Sequence, residues 1–187
     1  MREIGKTLCN ITKQNFIIEK VKSLSNIYGY LAEIGVYSGV TASLIAENET
    51  KNTIYLFDTF DGIPYVNEND NHHKVGDFND VLFTDVENYF KKFKNVKLCK
   101  GIFPKETAHL IDSNAVFKFV HIDVDVYQSY KDCLEFFYPK MIKGGIIIFD
   151  DYNVPTCAGA TKACDEFFKD KTEEIKLLLN SYYIEKL

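Results

Sequence analysis

The chain has 187 residues, 46% hydrophobic and 26% charged, enough for one continuous core and too few for two comfortable ones. A formal charge of -5 gives no pull on phosphate backbones or anionic lipid, so neither nucleic acid nor a membrane is an expected partner; small molecules are. No apolar run nears the roughly 20 residues that cross a bilayer, and the first residues lack the apolar core of a signal peptide, which predicts a cytoplasmic protein.

Residues 1–28 form an N-terminal helical segment, with Phe16, Ile17, Val21 and Leu24 at helical spacing over one or two helices, ahead of a domain spanning 29–187. Gly29 to Gly35 is a short strand that ends in glycine, Val36-Tyr-Ser-Gly39 turns the chain, and Thr41 to Glu49 is helical. The second strand, Thr53 to Asp58, ends in an acid. Residues 61–78 carry Gly62, Pro64, Gly76 and a polar cluster through His72 and His73; they read as a long loop, of the kind that closes over ligands. Val81, Leu82, Val86, Tyr89, Phe90 and Phe93 mark a helix, Val96 to Lys100 a third strand, Thr107 to Leu110 a short helix and Phe117 to Asp123 a fourth strand. A helix over Gln128 to Phe137, a fifth strand over Gly145 to Phe149, a helix over Gly159 to Lys169 and a terminal hairpin complete the chain. The pattern predicts an α/β fold, Rossmann-like and doubly wound: a mostly parallel seven-stranded sheet with a C-terminal antiparallel hairpin and helices on both faces.

Ligands of open α/β sheets bind beyond the carboxyl ends of the strands. Asp123 and Asp125 follow the fourth strand and Asp150-Asp151 follow the fifth, so four carboxylates are expected in one crevice. Such a group repels itself unless a cation joins it, and a divalent metal is the simplest candidate. Glu33-Ile-Gly-Val-Tyr-Ser-Gly39 lacks the glycine spacing of a dinucleotide loop. Its acid would repel a pyrophosphate and favour a cationic amine or sulfonium, while Asp58 is placed to accept from ribose hydroxyls. The five cysteines contain no C-x-x-C pair and fit a reducing compartment; Cys157 alone lies near the acids, where a small buried core residue is the expected role.

Leu31 to Gly39 resembles the first motif of class I S-adenosylmethionine-dependent methyltransferases. Together with Phe57-Asp-Thr-Phe-Asp-Gly-Ile-Pro64, Val120-His-Ile-Asp-Val-Asp-Val-Tyr127 and Gly144 to Tyr152, it is similar to the macrocin O-methyltransferase (TylF/MycF-like) family, whose members methylate sugar hydroxyls. The resemblance implies that Glu33, Gly35, Tyr37, Ser38 and Gly39 surround the methionine part of S-adenosylmethionine. Asp58 would hold the ribose with Thr59 and Phe60 beside it, and Gly101, Ile102 and Phe103 would lie against the adenine. It assigns Asp123, Asp150 and Asp151 to a divalent ion, Mg²⁺ ahead of Mn²⁺ or Ca²⁺ for an all-oxygen site. Asp125 is the implied proton acceptor, on one strand face with Asp123 if the strand runs that far. His121 is expected as a core histidine and His72 and His73 as solvated. The implied activity is Mg²⁺-dependent O-methylation of a sugar acceptor with a vicinal diol. The alternatives are a catechol or phenol O-methyltransferase, or a non-catalytic cofactor-binding partner subunit; a homodimer is possible through the N-terminal helices or the hairpin.

Overall fold

Period-two alternation builds the sheet and decides which helices cover it. In β1 (Tyr30–Ile34), β2 (Ile54–Asp58) and β5 (Met141–Phe149), Ala32, Ile34, Tyr55, Phe57, Ile147 and Phe149 face one side, while Leu31, Ile54, Leu56, Ile146 and Ile148 face the other. The first side packs under α4 (Tyr127–Phe137) and α5 (Ala158–Phe168). The second packs under α1 (Ile11–Ser23), α2 (Val40–Asn48) and α3 (Phe83–Phe90). The computed structural model describes residues 9–187, so the reading of residues 1–8 as helical lies outside the described residues, which hold one N-terminal helix.

β3 (Val96–Lys100), β4 (Phe117–Ile122), β6 (Lys176–Leu178) and β7 (Ser181–Glu185) complete a seven-stranded sheet of order β3-β2-β1-β4-β5-β7-β6. All pairs are parallel except those made by β7, which is the expected antiparallel terminal hairpin. The chain leaves β1 for one face and β4 for the other, and this reversal opens a crevice between their carboxyl ends. Among the described residues, no helix is long and apolar enough to cross a membrane.

Away from the crevice, near the start of β4, the fully buried Lys118 ammonium meets Glu49 at 2.7 Å and donates to the carbonyls of Leu24 and Ile27. Burial alone would raise the Glu49 pKa, but Lys118 and the amides of Lys51 and Asn52 outweigh it and bring it down to about 2. A depressed carboxyl stabilises the fold above its unfolded value near 4.5 and loses that contribution as pH falls toward 2. Denaturant titrations across that window are expected to show stability falling with acid. In Lys118→Met that component shrinks and stability at pH 7 drops by about 3–5 kcal/mol, because a buried charge is left alone.

No helix or strand forms between β2 and α3, as expected of a long loop. The loop is nevertheless tied down. The buried Asp70 carboxylate accepts from the amide of Asn67 at 3.0 Å and from that of Tyr127, the first residue of α4, at 2.8 Å. Gly159 leaves it room, since a Cβ there would sit 2.0 Å from Asp70 Oδ1. Asp70→Ala is expected to cost about 1–2 kcal/mol, the usual loss for a helix-start acceptor, and to speed proteolysis within 59–82. Thermal unfolding and timed digestion check it.

Candidate functional site

Strand register makes the site. Ile34 pairs with Phe57 and with Ile122, and Ile122 pairs with Phe149, so the next residues, Gly35, Asp58, Asp123 and Asp150, come level at the sheet's edge. The pairing continues through them: Gly35 N–H donates to Phe57 O, Asp123 N–H to Ile34 O and Asp150 N–H to Ile122 O, each at 2.9 Å. Gly35 has φ +88°, and a Cβ on it would lie 1.6 Å from the Asp123 carbonyl oxygen, so only glycine lets these two tips meet. Asp58 braces the turn. Its Oδ2 accepts from Val36 and Tyr37 N–H at 2.7 Å each and its Oδ1 from Phe60 N–H at 2.6 Å. A carboxylate has about four acceptor positions, so about one remains for a ligand hydroxyl, fewer than the two that a whole ribose diol would use.

One cleft runs from this turn past the fourth strand. Gly35, Tyr37, Asp58, Thr59, Gly101, Ile102, Phe103, Asp123 and Asp125 all line it, joined by Tyr65 and Phe78 from the long loop. Phe103 serves the core as well, stacking on Phe137 with ring centroids 5.0 Å apart. Four expected cofactor residues do not line the cleft. Glu33 is fully buried on the opposite sheet face, its Oε1 2.9 Å from His121 Nδ1. Gly39 starts α2 against Phe90, Phe60 packs on Phe83, and Ser38 stands in the turn between.

The acids come together with two cations, His121 from the fourth strand and Lys13, whose place the sequence does not reveal. His121, Asp123 and Asp150 offer donor atoms within 4.8 Å of one another. Lys13, from the inward face of α1, donates to Asp150 Oδ2 at 2.9 Å and to its carbonyl at 2.8 Å. Burial alone would lower the His121 pKa, but Asp150 and Glu33 outweigh it and hold the imidazole charged, up to about 10. Burial would raise the Asp150 pKa; His121 and Lys13 instead pull it to about 2. For Asp123 the pull of His121 is outweighed, and burial together with Asp150 and Asp151 pushes it well above the carboxylate range. Asp151, raised to about 8 by burial and by Asp125 and Asp150, turns its Oδ2 to the amides of Val124 and Asp125 at 3.1 and 2.9 Å.

A hard divalent ion fits this set. Burial and neighbouring carboxylates hold two carboxyls above their ordinary range, and the carboxylate donors are oxygen. His121, held charged, has no lone pair to give an ion; its Nε2 stands 3.6 Å from Asp150 Oδ1, which leaves carboxylate oxygens as the ligands. Asp123 and Asp150 are the core of such a site. Asp151, expected as an equal ligand, also shapes the turn that carries Asp125.

Two expectations need correction. The fourth strand ends at Ile122, so Asp125 does not share a strand face with Asp123; it sits in a tight turn at φ +60° and reaches the cleft by that turn. His73 is not solvated: its side chain is 10% exposed and stands beside Asp125 and Cys157, held in place by a loop whose course the sequence does not give. Burial raises the Asp125 pKa to about 6 despite a hydrogen bond from Cys157. His121 and Cys157 are buried, as expected.

The model of the macrocin O-methyltransferase (TylF) family matches residues 4–178. The demethyldecarbamoylnovobiocin O-methyltransferase of Streptomyces niveus is 32% identical, over 76% of this chain and 59% of its own. The 8-demethyl-8-(2,3-dimethoxy-alpha-L-rhamnosyl)-tetracenomycin-C 4'-O-methyltransferase of Streptomyces olivaceus is 28% identical, over 71% of this chain and 56% of its own, so the chain spans under two thirds of the length of either relative. Among solved structures, the O-methyltransferase NovP superposes with a TM-score of 0.81 at 27% identity, covering 96% of this chain and 81% of NovP. The four motifs, the strand order and the length of the match agree, and the chain belongs to the macrocin O-methyltransferase (TylF) family.

Proposed function

We propose that the chain is an S-adenosylmethionine-dependent O-methyltransferase acting on a sugar hydroxyl of a small molecule, with Mg²⁺ or another hard divalent ion as its metal. The observation that carries this is the level row of strand tips, which sets the Gly35 turn and Asp58 beside Asp123 and Asp125 in one cleft. Gly35 and Tyr37, with Ser38 and Gly39 shaping the turn, border the methionine end of the cofactor. Asp58 offers its remaining acceptor position to the ribose, with Thr59 and Phe60 closing its turn. Gly101, Ile102 and Phe103 give the apolar end for adenine. Glu33 supports the row from beneath through His121. From α1 onward the N-terminal segment packs on the domain of 29–187 through Phe16, Ile17, Val21 and Leu24, as part of one folding unit.

The cofactor supplies a methyl group on a sulfonium, and the ion, when bound, lowers the pKa of an acceptor hydroxyl. Asp123 and Asp150, with Asp151 behind them, would hold that ion. Asp125 takes the hydroxyl proton onto its carboxylate as the oxygen gains the methyl group, and its pKa near 6 lets it do so near neutral pH. Because a cation and an oxyanion become neutral products, the apolar walls that Tyr65 and Phe78 add to the cleft favour the transfer. The relative named for a rhamnosyl-bearing acceptor supports a sugar substrate.

The test is incubation with methyl-labelled S-adenosylmethionine and a panel of glycosides, nucleotide sugars and catechols, with Mg²⁺ or with a chelator. Label on a sugar, lost in chelator, is expected. Label on catechols alone overturns the sugar assignment, and undiminished transfer in chelator overturns the metal.

A further inference from the structure

His73, Asp125 and Cys157 come from the long loop, the turn after β4 and the start of α5, yet three of their donor atoms meet at one point. His73 Nε2 lies 3.5 Å from Cys157 Sγ, Cys157 Sγ lies 3.6 Å from Asp125 Oδ1, and His73 Nε2 lies 3.9 Å from Asp125 Oδ1. One imidazole nitrogen, one sulfur and one carboxylate oxygen suit a borderline ion such as zinc rather than magnesium. A tetrahedral zinc, with bonds of about 2.1 Å to nitrogen and oxygen and about 2.3 Å to sulfur, sets ligand-to-ligand edges of about 3.6, 3.6 and 3.4 Å in the same order. Two edges agree and the third is open by about 0.5 Å.

The surroundings suit a metal site too. Behind the imidazole, Asp77 Oδ2 stands 3.9 Å from His73 Nδ1, the side on which metal-bound histidines usually meet a carboxylate. Cys157 is buried, His73 nearly so, and Asp125 lines the cleft, so an ion here would have protein on three sides and the cleft on the fourth. Burial and the nearby carboxylates raise the Cys157 thiol, so without a metal it stays protonated and inert.

We propose that His73, Asp125 and Cys157 form a binding site for a borderline divalent cation of the zinc class, distinct from the oxygen-lined position at Asp123 and Asp150, with its fourth coordination position open to the cleft. Binding exchanges the thiol proton, released to solvent, for a sulfur–metal bond. An ion there engages the carboxylate that would take the hydroxyl proton, so zinc inhibits methyl transfer. That consequence rests on the role proposed for Asp125, whereas the site itself does not.

Cobalt(II) is the probe, added to the full chain in excess Mg²⁺ so that the oxygen-lined position is filled. The expected result is a thiolate-to-cobalt charge-transfer band that saturates at one equivalent and disappears when Zn²⁺ is added. Cys157→Ser removes the band, and His73→Gln weakens cobalt binding by more than about 10-fold, both with native circular dichroism. No band in the wild type overturns the proposal, and so does a full band in Cys157→Ser, which would place the thiolate elsewhere. If Cys157→Ser fails to fold, unchanged cobalt affinity in His73→Gln overturns it equally. Methyl transfer is not read, so failure here is separate from failure of the proposed function.

Discussion

Asp125→Asn is expected to lower turnover about 10²–10⁴-fold, the usual worth of a positioned proton acceptor, while leaving the affinity for S-adenosylmethionine nearly unchanged. The substitution is chosen for its backbone. Asp125 holds φ +60°, a conformation that asparagine tolerates better than other side chains of its size. Its N–H, held at 2.9 Å by Asp151, is a main-chain group and stays. Asparagine keeps the shape and loses the negative charge, and with it the ability to accept a proton. Single-turnover rates and cofactor titrations separate the two effects, and a variant with full turnover would remove Asp125 from the chemistry.

Gly35→Ala is expected to be the most damaging small change in the protein, destabilising it by about 3–5 kcal/mol and abolishing cofactor binding. Two causes add. The residue must leave φ +88°, and its new methyl group would occupy the space of the Asp123 carbonyl, 1.6 Å away, so the β1 and β4 tips must separate. Gly144 provides the control. It has φ +77°, but no neighbouring atom among the described residues lies within 4 Å of the place a Cβ would take. Gly144→Ala therefore carries only the backbone strain, about 1 kcal/mol. Equal losses in chemical denaturation would show that the clash at Gly35 is relieved without cost.

The sheet is legible because alternation and strand-end glycines and acids are local signals: each of the five parallel strands can be placed from its own residues, and the hairpin from its turn. The level row of Gly35, Asp58, Asp123 and Asp150 follows from that placement. What escapes depends on distant segments. Lys13 lies three and four residues before Phe16 and Ile17, on the same inward face of α1, and that spacing is a signal that could mark it. Its meeting with Asp150 needs the fold. Asp70 looks like one of several polar loop residues, although Asn67 and Asp70 have the spacing of a side-chain-closed turn. Strand period puts Asp125 beside Asp123, but the strand stops earlier because the Asp151 carboxylate captures the amides of Val124 and Asp125. The route of residues 59–82, which brings His73 to Cys157, has no periodicity to read.

An adenosyl sulfonium is expected in the cleft at the strand tips, beside the acids. Calorimetric titration of S-adenosylmethionine into the wild type, Asp58→Ala and Asp151→Ala measures it most directly. One site per chain is expected, weakened more than about 10-fold in Asp58→Ala, where the turn loses three amide contacts, and little changed in Asp151→Ala. Absence of binding in the wild type, or full affinity in Asp58→Ala, would contradict it.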